Sequence, residues 1–185
     1  MSGHSKWAQI KRQKAATDAA KSRTFARFAR LIALEARQAG GDISSPSLKN
    51  VVARAKAANM PKDSIERAIA KGASKEAASL ERVVYECYGP AGIAIVIDAL
   101  TDNKNRTTQE IKHLLSKQGV ELAAPGSALW AFVKTADTYT PQEQTMVDVV
   151  EGDQEKLENI LSALDEHGDV QVVYTNARGY ESTRD

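Results

Sequence analysis

The feature that most constrains this chain is a change in the spacing of its apolar residues near residue 77. Before that point apolar side chains recur every three or four positions, the period of an amphipathic helix. After it they form short β-branched and aromatic runs separated by Gly and Pro, the pattern of strands and turns. A chain that carries both patterns in succession predicts an α+β protein, with an all-helical domain over residues 1–76 and an α+β domain over residues 77–185. At 185 residues and 42% hydrophobic content, each part can bury a core without disulfides or a structural metal.

The charge divides at nearly the same place. Residues 1–80 hold 16 Lys+Arg against 6 Asp+Glu, a net charge of +10; residues 81–185 hold 9 against 18, a net charge of −9. The overall +1 therefore hides a bipolar molecule. A basic part of this size suits a polyanion, and an acidic part suits a different partner.

Arg23–Ala39 gives the best helical pattern. At about 100° per residue, Phe25, Phe28, Ala29, Ile32, Ala36 and Ala39 share one sector, and Arg23, Arg27, Arg30 and Arg37 occupy the opposite one. Upstream, Lys11, Lys14 and Lys21 share a face with Arg12 beside it, and Trp7, Ile10 and several alanines are available for packing. Gly40-Gly41 ends the helix. Ser47 is the expected N-cap of a third helix carrying Leu48, Val51, Val52 and Ala55, and Asn59-Met60-Pro61 breaks it. Asp63 and Glu66 have capping-box spacing for a short fourth helix with Ile65 and Ile69, closed by Gly72.

In the second part, Val83–Tyr88 and the almost unbroken apolar run Ile93–Leu100 predict two strands joined through Gly89-Pro90-Ala91-Gly92. A helix over Thr107–Gln118, strands at Leu129–Val133 and Met146–Val150, a helix over Asp153–His167 and a strand at Val170–Thr175 complete the pattern. The order ββαβ then βαβ predicts two helices on one sheet of about five strands, a ferredoxin-like sandwich.

Two places could carry recognition. In the basic part, Lys11, Arg12, Lys14, Lys21, Arg23, Arg27, Arg30 and Arg37 could neutralise phosphates. Only two acids, Asp18 and Glu35, lie among residues 1–41 to occupy them. Trp7 has two readings, a ring that stacks on a base or a core residue. The second place is the loop Thr101–Thr107 between a strand and a helix, where Lys104 and Arg106 add cations to a helix N-terminus. It reads equally as a phosphate contact or as a plain helix cap by Asn105 or Thr107, with Glu110 completing a box.

Catalytic patterns are weak. His4, His113 and His167 are scattered, there is no H-x-x-x-H pair, and no P-loop or G-x-S-x-G motif occurs. Asp98, Asp102 and Glu110 would have to converge to hold a nuclease metal, and Cys87 with His113 would be an unusual nucleophile pair. The chain is therefore expected to act without catalysis, cofactor or metal. A single cysteine fits a reducing compartment, no stretch approaches eighteen apolar residues, and Met-Ser-Gly-His-Ser-Lys-Trp runs straight into charged sequence. A cytoplasmic protein is expected; a mitochondrial transit peptide is the alternative for the basic start, although Ser and Arg enrichment there is modest.

Several stretches carry a resemblance. They are residues 1–7, MSGHSKW; Lys56-Ala57-Ala58-Asn59-Met60-Pro61-Lys62-Asp63 with Ile65–Ile69; Tyr88-Gly89-Pro90-Ala91-Gly92; Leu100–Thr107; and Asp169–Ala177. In this order they resemble the YebC/PmpR family. The resemblance implies a non-enzymatic regulator of gene expression. The family includes probable transcriptional regulators that bind DNA, ribosome-associated translation factors, and mitochondrial translational activators of a cytochrome oxidase subunit. It implies nucleic acid as partner, either DNA or ribosomal RNA. The charge division leaves a different alternative, a protein-interaction adaptor whose acidic half binds basic proteins, ribosomal ones among them; no membrane partner is expected. Carried onto this chain, the resemblance adds His4, Ser5, Lys6 and Trp7 to the cations above as nucleic-acid contacts. One departure stands out: relatives insert a further small domain where this chain has only the bridge 134–145.

Overall fold

The computed structural model describes residues 18–74, 79–136 and 138–184. They form two compact units, residues 18–81 and residues 82–184.

The first unit is built from helices α1 (Asp18–Gln38), α2 (Pro46–Ala57) and α3 (Lys62–Ala73). The sector foreseen on α1 supplies the fully buried Ile32 and Ala36, which meet Leu48, Val51 and Ala55 of α2, Ile65 and Ala68 of α3, and Met60 between them. Phe25 and Phe28 pack against this cluster. After α1, Gly40 and Gly41 adopt φ of 59° and 86°, and the Gly41 N–H returns to Ala36 O at 2.9 Å, a left-handed C-cap. The caps of α2 and α3 differ from expectation. Ser45 rather than Ser47 precedes α2, with Pro46 at the first position, and Pro61 precedes α3 with no side-chain cap. Asp63 lies in the first turn of α3, where it opposes the helix dipole's positive end.

The second unit is a three-layer arrangement. Strands β1 (Glu81–Tyr88), β2 (Ala94–Thr101) and β5 (Val170–Thr175) form a sheet in the order β1-β2-β5. β2 pairs antiparallel with β5 from Ile95↔Thr175 to Asp98↔Val172, with an irregularity before Ala99↔Val170. Every residue of β2 is buried, which explains the unbroken apolar run. Ile95, Ile97 and Ala99, with Ile93 just before the strand, face helices α4 (Lys104–Lys117) and α5 (Glu151–Glu166) through Ile111, Leu115, Leu157, Ile160, Leu161 and Leu164. Ala94 and Val96 face the other way, onto Ala128, Ala131, Phe132, Tyr139 and Tyr174.

The α+β class and the helix-then-sandwich order are as read from the sequence, but the sheet is smaller than the five strands foreseen. Leu129–Ala131 is a single 3-10 turn, and β3 (Phe132–Thr135) pairs only with β4 (Thr138–Pro141) in a separate two-stranded ribbon. The reason is the buried carboxylate of Glu86, which accepts the N–H groups of Gly126 (2.5 Å), Ala128 (2.6 Å) and Leu129 (3.0 Å). These donors are turned toward Glu86 and are lost to any ladder. The strand expected at Met146–Val150 reduces to one bridge, Val147↔Ala177.

Gly72 marks the tightest helix contact. A Cβ there would lie 2.2 Å from the carbonyl oxygen of Ala33 and 2.7 Å from its Cα, both backbone atoms of α1. Gly72→Ala therefore destabilises the chain by about 1–3 kcal/mol through overpacking, against a helix-propensity gain of about 1 kcal/mol. A urea titration checks the sign: the midpoint falls, and an unchanged or higher midpoint would mean that α1 and α3 separate at no cost.

Candidate nucleic-acid interface

The cationic sector of α1 lies opposite Ile32, but its members are not equivalent. Arg37 is exposed and Arg23 and Arg30 are half-buried, while Lys21, also exposed, lies outside this sector, in line with Phe25, Phe28 and Ile32 at four, seven and eleven residues. Arg27, foreseen as part of the exposed stripe, is only 4% exposed and is corrected to a buried residue. A guanidinium withdrawn from water must be compensated, and Arg27, Arg30 and Arg37 each interact with another group of the chain. Lys21 and Arg23 have no hydrogen bond or ion pair among the described residues. The same holds for two exposed cations in the last turn of α2, Arg54 and Lys56, which the sequence reading did not single out. Their signal was present, since both sit at a helix C-terminus away from the Leu48–Val51–Ala55 face. His4, Ser5, Lys6, Trp7, Lys11, Arg12 and Lys14 lie outside the described residues.

The loop before α4 is a helix cap and an ion-pair knot. Asn103, rather than Asn105 or Thr107, is the N-cap, its side-chain oxygen accepting the Arg106 N–H at 3.1 Å. The Thr101 hydroxyl accepts the Asn103 N–H at 2.9 Å. Thr107, fully buried, donates its hydroxyl to Asp169 Oδ2 at 2.6 Å. The Arg106 guanidinium binds the same oxygen at 2.8 Å, Asp102 at 3.0 Å and, more loosely, Glu110 at 3.8 Å. The hydrogen bond that Arg106 donates to Asp169, then the charge of Asp169, raises the Arg106 pKa above its ordinary value, with Asp102 and Glu110 adding to the effect. Three carboxylates around one cation repel a phosphate, so Arg106 is a clamp between α4 and the start of β5. Lys104 is the one exposed cation on this loop without an ion pair among the described residues.

The clustered carboxylates are likewise engaged. Asp98, 1% exposed, forms a two-pronged pair with Arg82 at 2.8 and 2.6 Å. Asp98, Asp102 and Glu110 therefore do not converge as a nuclease centre would need. Among the described residues one group, Glu110, His167 and Asp169, has metal-ligand spacing. Its donors are already used. His167 Nδ1 accepts the Asp169 N–H at 3.1 Å, which places the ring proton on Nε2, 2.9 Å from Glu110 Oε2. Arg106 lies against both carboxylates. Burial pushes the Cys87 thiol up to about 12, the state of an inert core cysteine. No helix among the described residues is long and apolar enough to cross a membrane.

Comparison with known proteins matches two domain models in succession. The model described as TACO1/YebC protein N-terminal domain matches residues 5–75, and that described as TACO1/YebC second and third domain matches residues 80–138. A probable transcriptional regulatory protein of Thermosipho africanus is 50% identical over 146 residues, which is 78% of this chain and 58% of that protein. One from Desulforapulum autotrophicum is 44% identical over 155 residues, 80% of this chain and 63% of the relative. The chain thus spans about three fifths of the length of these curated relatives. The crystal structure of a conserved hypothetical protein from Aquifex aeolicus superimposes with a TM-score of 0.81 at 29% identity, covering 93% of this chain and 96% of that one.

Two outcomes check the assignments made here. Arg106→Ala lowers the urea midpoint and leaves nucleic-acid affinity unchanged; a loss of affinity with an unchanged midpoint would return Arg106 to the recognition surface. Cys87 in the folded chain does not react with a thiol-specific aromatic disulfide at pH 8 and reacts on denaturation; rapid native labelling would contradict its burial.

Proposed function

Because the chain belongs to the TACO1/YebC family, we propose that it is a nucleic-acid-binding regulator of gene expression, acting as a DNA-binding transcriptional regulator. The relatives named probable transcriptional regulatory proteins support the regulatory reading. The observation that carries nucleic-acid contact is α1, where Arg23 stands opposite the buried Ile32 sector and Lys21 is exposed near the start of the helix, neither with an ion-pair partner among the described residues. Cations held on a rigid helix can replace the counterions condensed on a phosphodiester backbone, and their release into bulk solution drives association. Contacts of this kind position a protein on its target without reading sequence. Binding, not turnover, is the mechanism, and the α+β unit serves as scaffold or protein contact. The proposed surface centres on Lys21, Arg23 and Arg30; His4, Ser5, Lys6, Trp7, Lys11, Arg12 and Lys14, outside the described residues, and Lys104 of the second unit are proposed as separate contacts.

The same cations would meet ribosomal RNA as readily, which is the translational alternative. A titration of a short duplex DNA and a short RNA hairpin against the full chain separates the two. Tighter duplex DNA binding at equal salt supports the transcriptional reading, and tighter RNA binding replaces it with the translational one. Lys21→Glu with Arg23→Glu weakens the preferred nucleic acid by at least about tenfold and reduces the salt slope by about two. Unchanged affinity in that double variant, with circular dichroism showing an intact fold, would refute the surface.

A further inference from the structure

A second surface of the helical unit has a different chemistry. An open groove of about 530 Å³ runs between α2 and α3, and no residue of α1 lines it. Its floor is aliphatic: Leu48 and Val52 from α2, Ile69 from α3, and Ile43 from the preceding loop. Ile43 is 68% exposed, and the loop holds it there. The Asp42 carboxylate accepts the Ser44 N–H at 2.8 Å and the Ser44 hydroxyl at 2.7 Å, and the Ser45 N–H returns to Asp42 O at 3.2 Å. Ile43 thereby extends the aliphatic floor into one contiguous apolar patch, the kind of surface that contact sites use.

The rims carry charge in a definite pattern. Lys49 and Lys56 stand on the α2 rim, seven residues and therefore about 10.5 Å apart. Neither has a hydrogen bond or ion pair among the described residues, and Asp42 exerts only a weak attraction on Lys49. On the α3 rim, Glu66 is offset by Lys62 at 3.6 Å. The lining contains no aromatic ring on which a base could stack and no amide or hydroxyl that could read a base edge. A nucleic acid therefore has little to hold there except two ammonium groups.

We propose that this groove docks an acidic amphipathic helix of a partner protein. Apolar anchors at i, i+3 or i+4 and i+7 would lie on Leu48, Val52, Ile69 and Ile43. Two carboxylates spaced two turns apart on one flank would reach Lys49 and Lys56, which fixes the direction and side of the bound helix. On the opposite rim the Lys62–Glu66 pair leaves no spare cation, so a second acidic flank would gain nothing there. This protein-docking function is independent of the cationic face of α1, with which it shares no residue.

The test uses the full chain and a fluorescein-labelled helical peptide with leucines on one face and two glutamates seven residues apart on one flank. The peptide binds with micromolar affinity, and the methyl resonances of Leu48, Val52, Ile69 and Ile43 shift while those of the α+β unit do not. Lys49→Glu with Lys56→Glu weakens it at least about tenfold, and the same variant gains affinity for a peptide carrying lysines at the two flank positions. Ile43→Asp, at an exposed site that leaves the fold intact, weakens both peptides. Absence of binding at millimolar peptide, equal affinity in the charge-reversed variant, or shifts confined to other residues would overturn the proposal. So would a single-stranded oligonucleotide that displaces the peptide and shifts the same methyls, since the occupant would then be a nucleic acid.

Discussion

The structure of the second unit depends on burying both faces of β2. A strand with Ile and Ala side chains on one face and Ala and Val on the other cannot be satisfied by a single layer of helices. The helices α4 and α5 cover one face, and the β3–β4 ribbon with the turn before it covers the other. That second cover is thin, four residues to a strand, and needs an anchor. Glu86 provides it, because a carboxylate that accepts three backbone N–H groups holds the turn at residues 126–129 against the sheet. An edge-strand residue thereby fixes how the layer over its neighbour is built.

The acids of this unit show how misleading a count of charges can be. Glu86, Asp98 and Asp169 are all buried, and each is compensated by backbone donors, by Arg82, or by Arg106 with Thr107. A buried carboxylate without such partners would cost several kcal/mol, so these contacts are structural requirements, not candidate chemistry. They also consume two of the few arginines in the unit. The loop that resembled a phosphate site in sequence is a clamp for this reason: Asp169 arrives from a point 63 residues further along the chain, and nothing local announces it.

Legibility followed the range of the forces involved. Helices α1 to α5 and strands β1, β2 and β5 were readable because their burial is periodic and each period is local. The end of α1 was readable because Gly40-Gly41 has few uses other than a left-handed cap. What escaped was set by distant partners. The 3-10 turn at Leu129–Ala131 obeys Glu86, more than forty residues away, and the weak pairing of Val147 reflects one contact with Ala177. Arg27 escaped for a related reason. Helical periodicity places it away from the Ile32 core, yet it is only 4% exposed, and a pattern read from one apolar face does not foresee burial of the opposite one.

The division of labour inside the helical unit follows from its size. Three short helices cannot bury all their sides, so the sides left over are the ones available for recognition. On α1 the remainder is cationic and suits a smooth polyanion, where affinity comes from counterion release and falls steeply with salt. Between α2 and α3 the remainder is apolar with two spaced lysines, where affinity comes from removing aliphatic surface from water and depends far less on salt. Because the two proposed surfaces draw on different free energies and share no residue, a nucleic acid on one would not compete with a protein on the other. Ionic strength then acts more strongly on the first attachment than on the second. Both proposed surfaces are formed within residues 18–74.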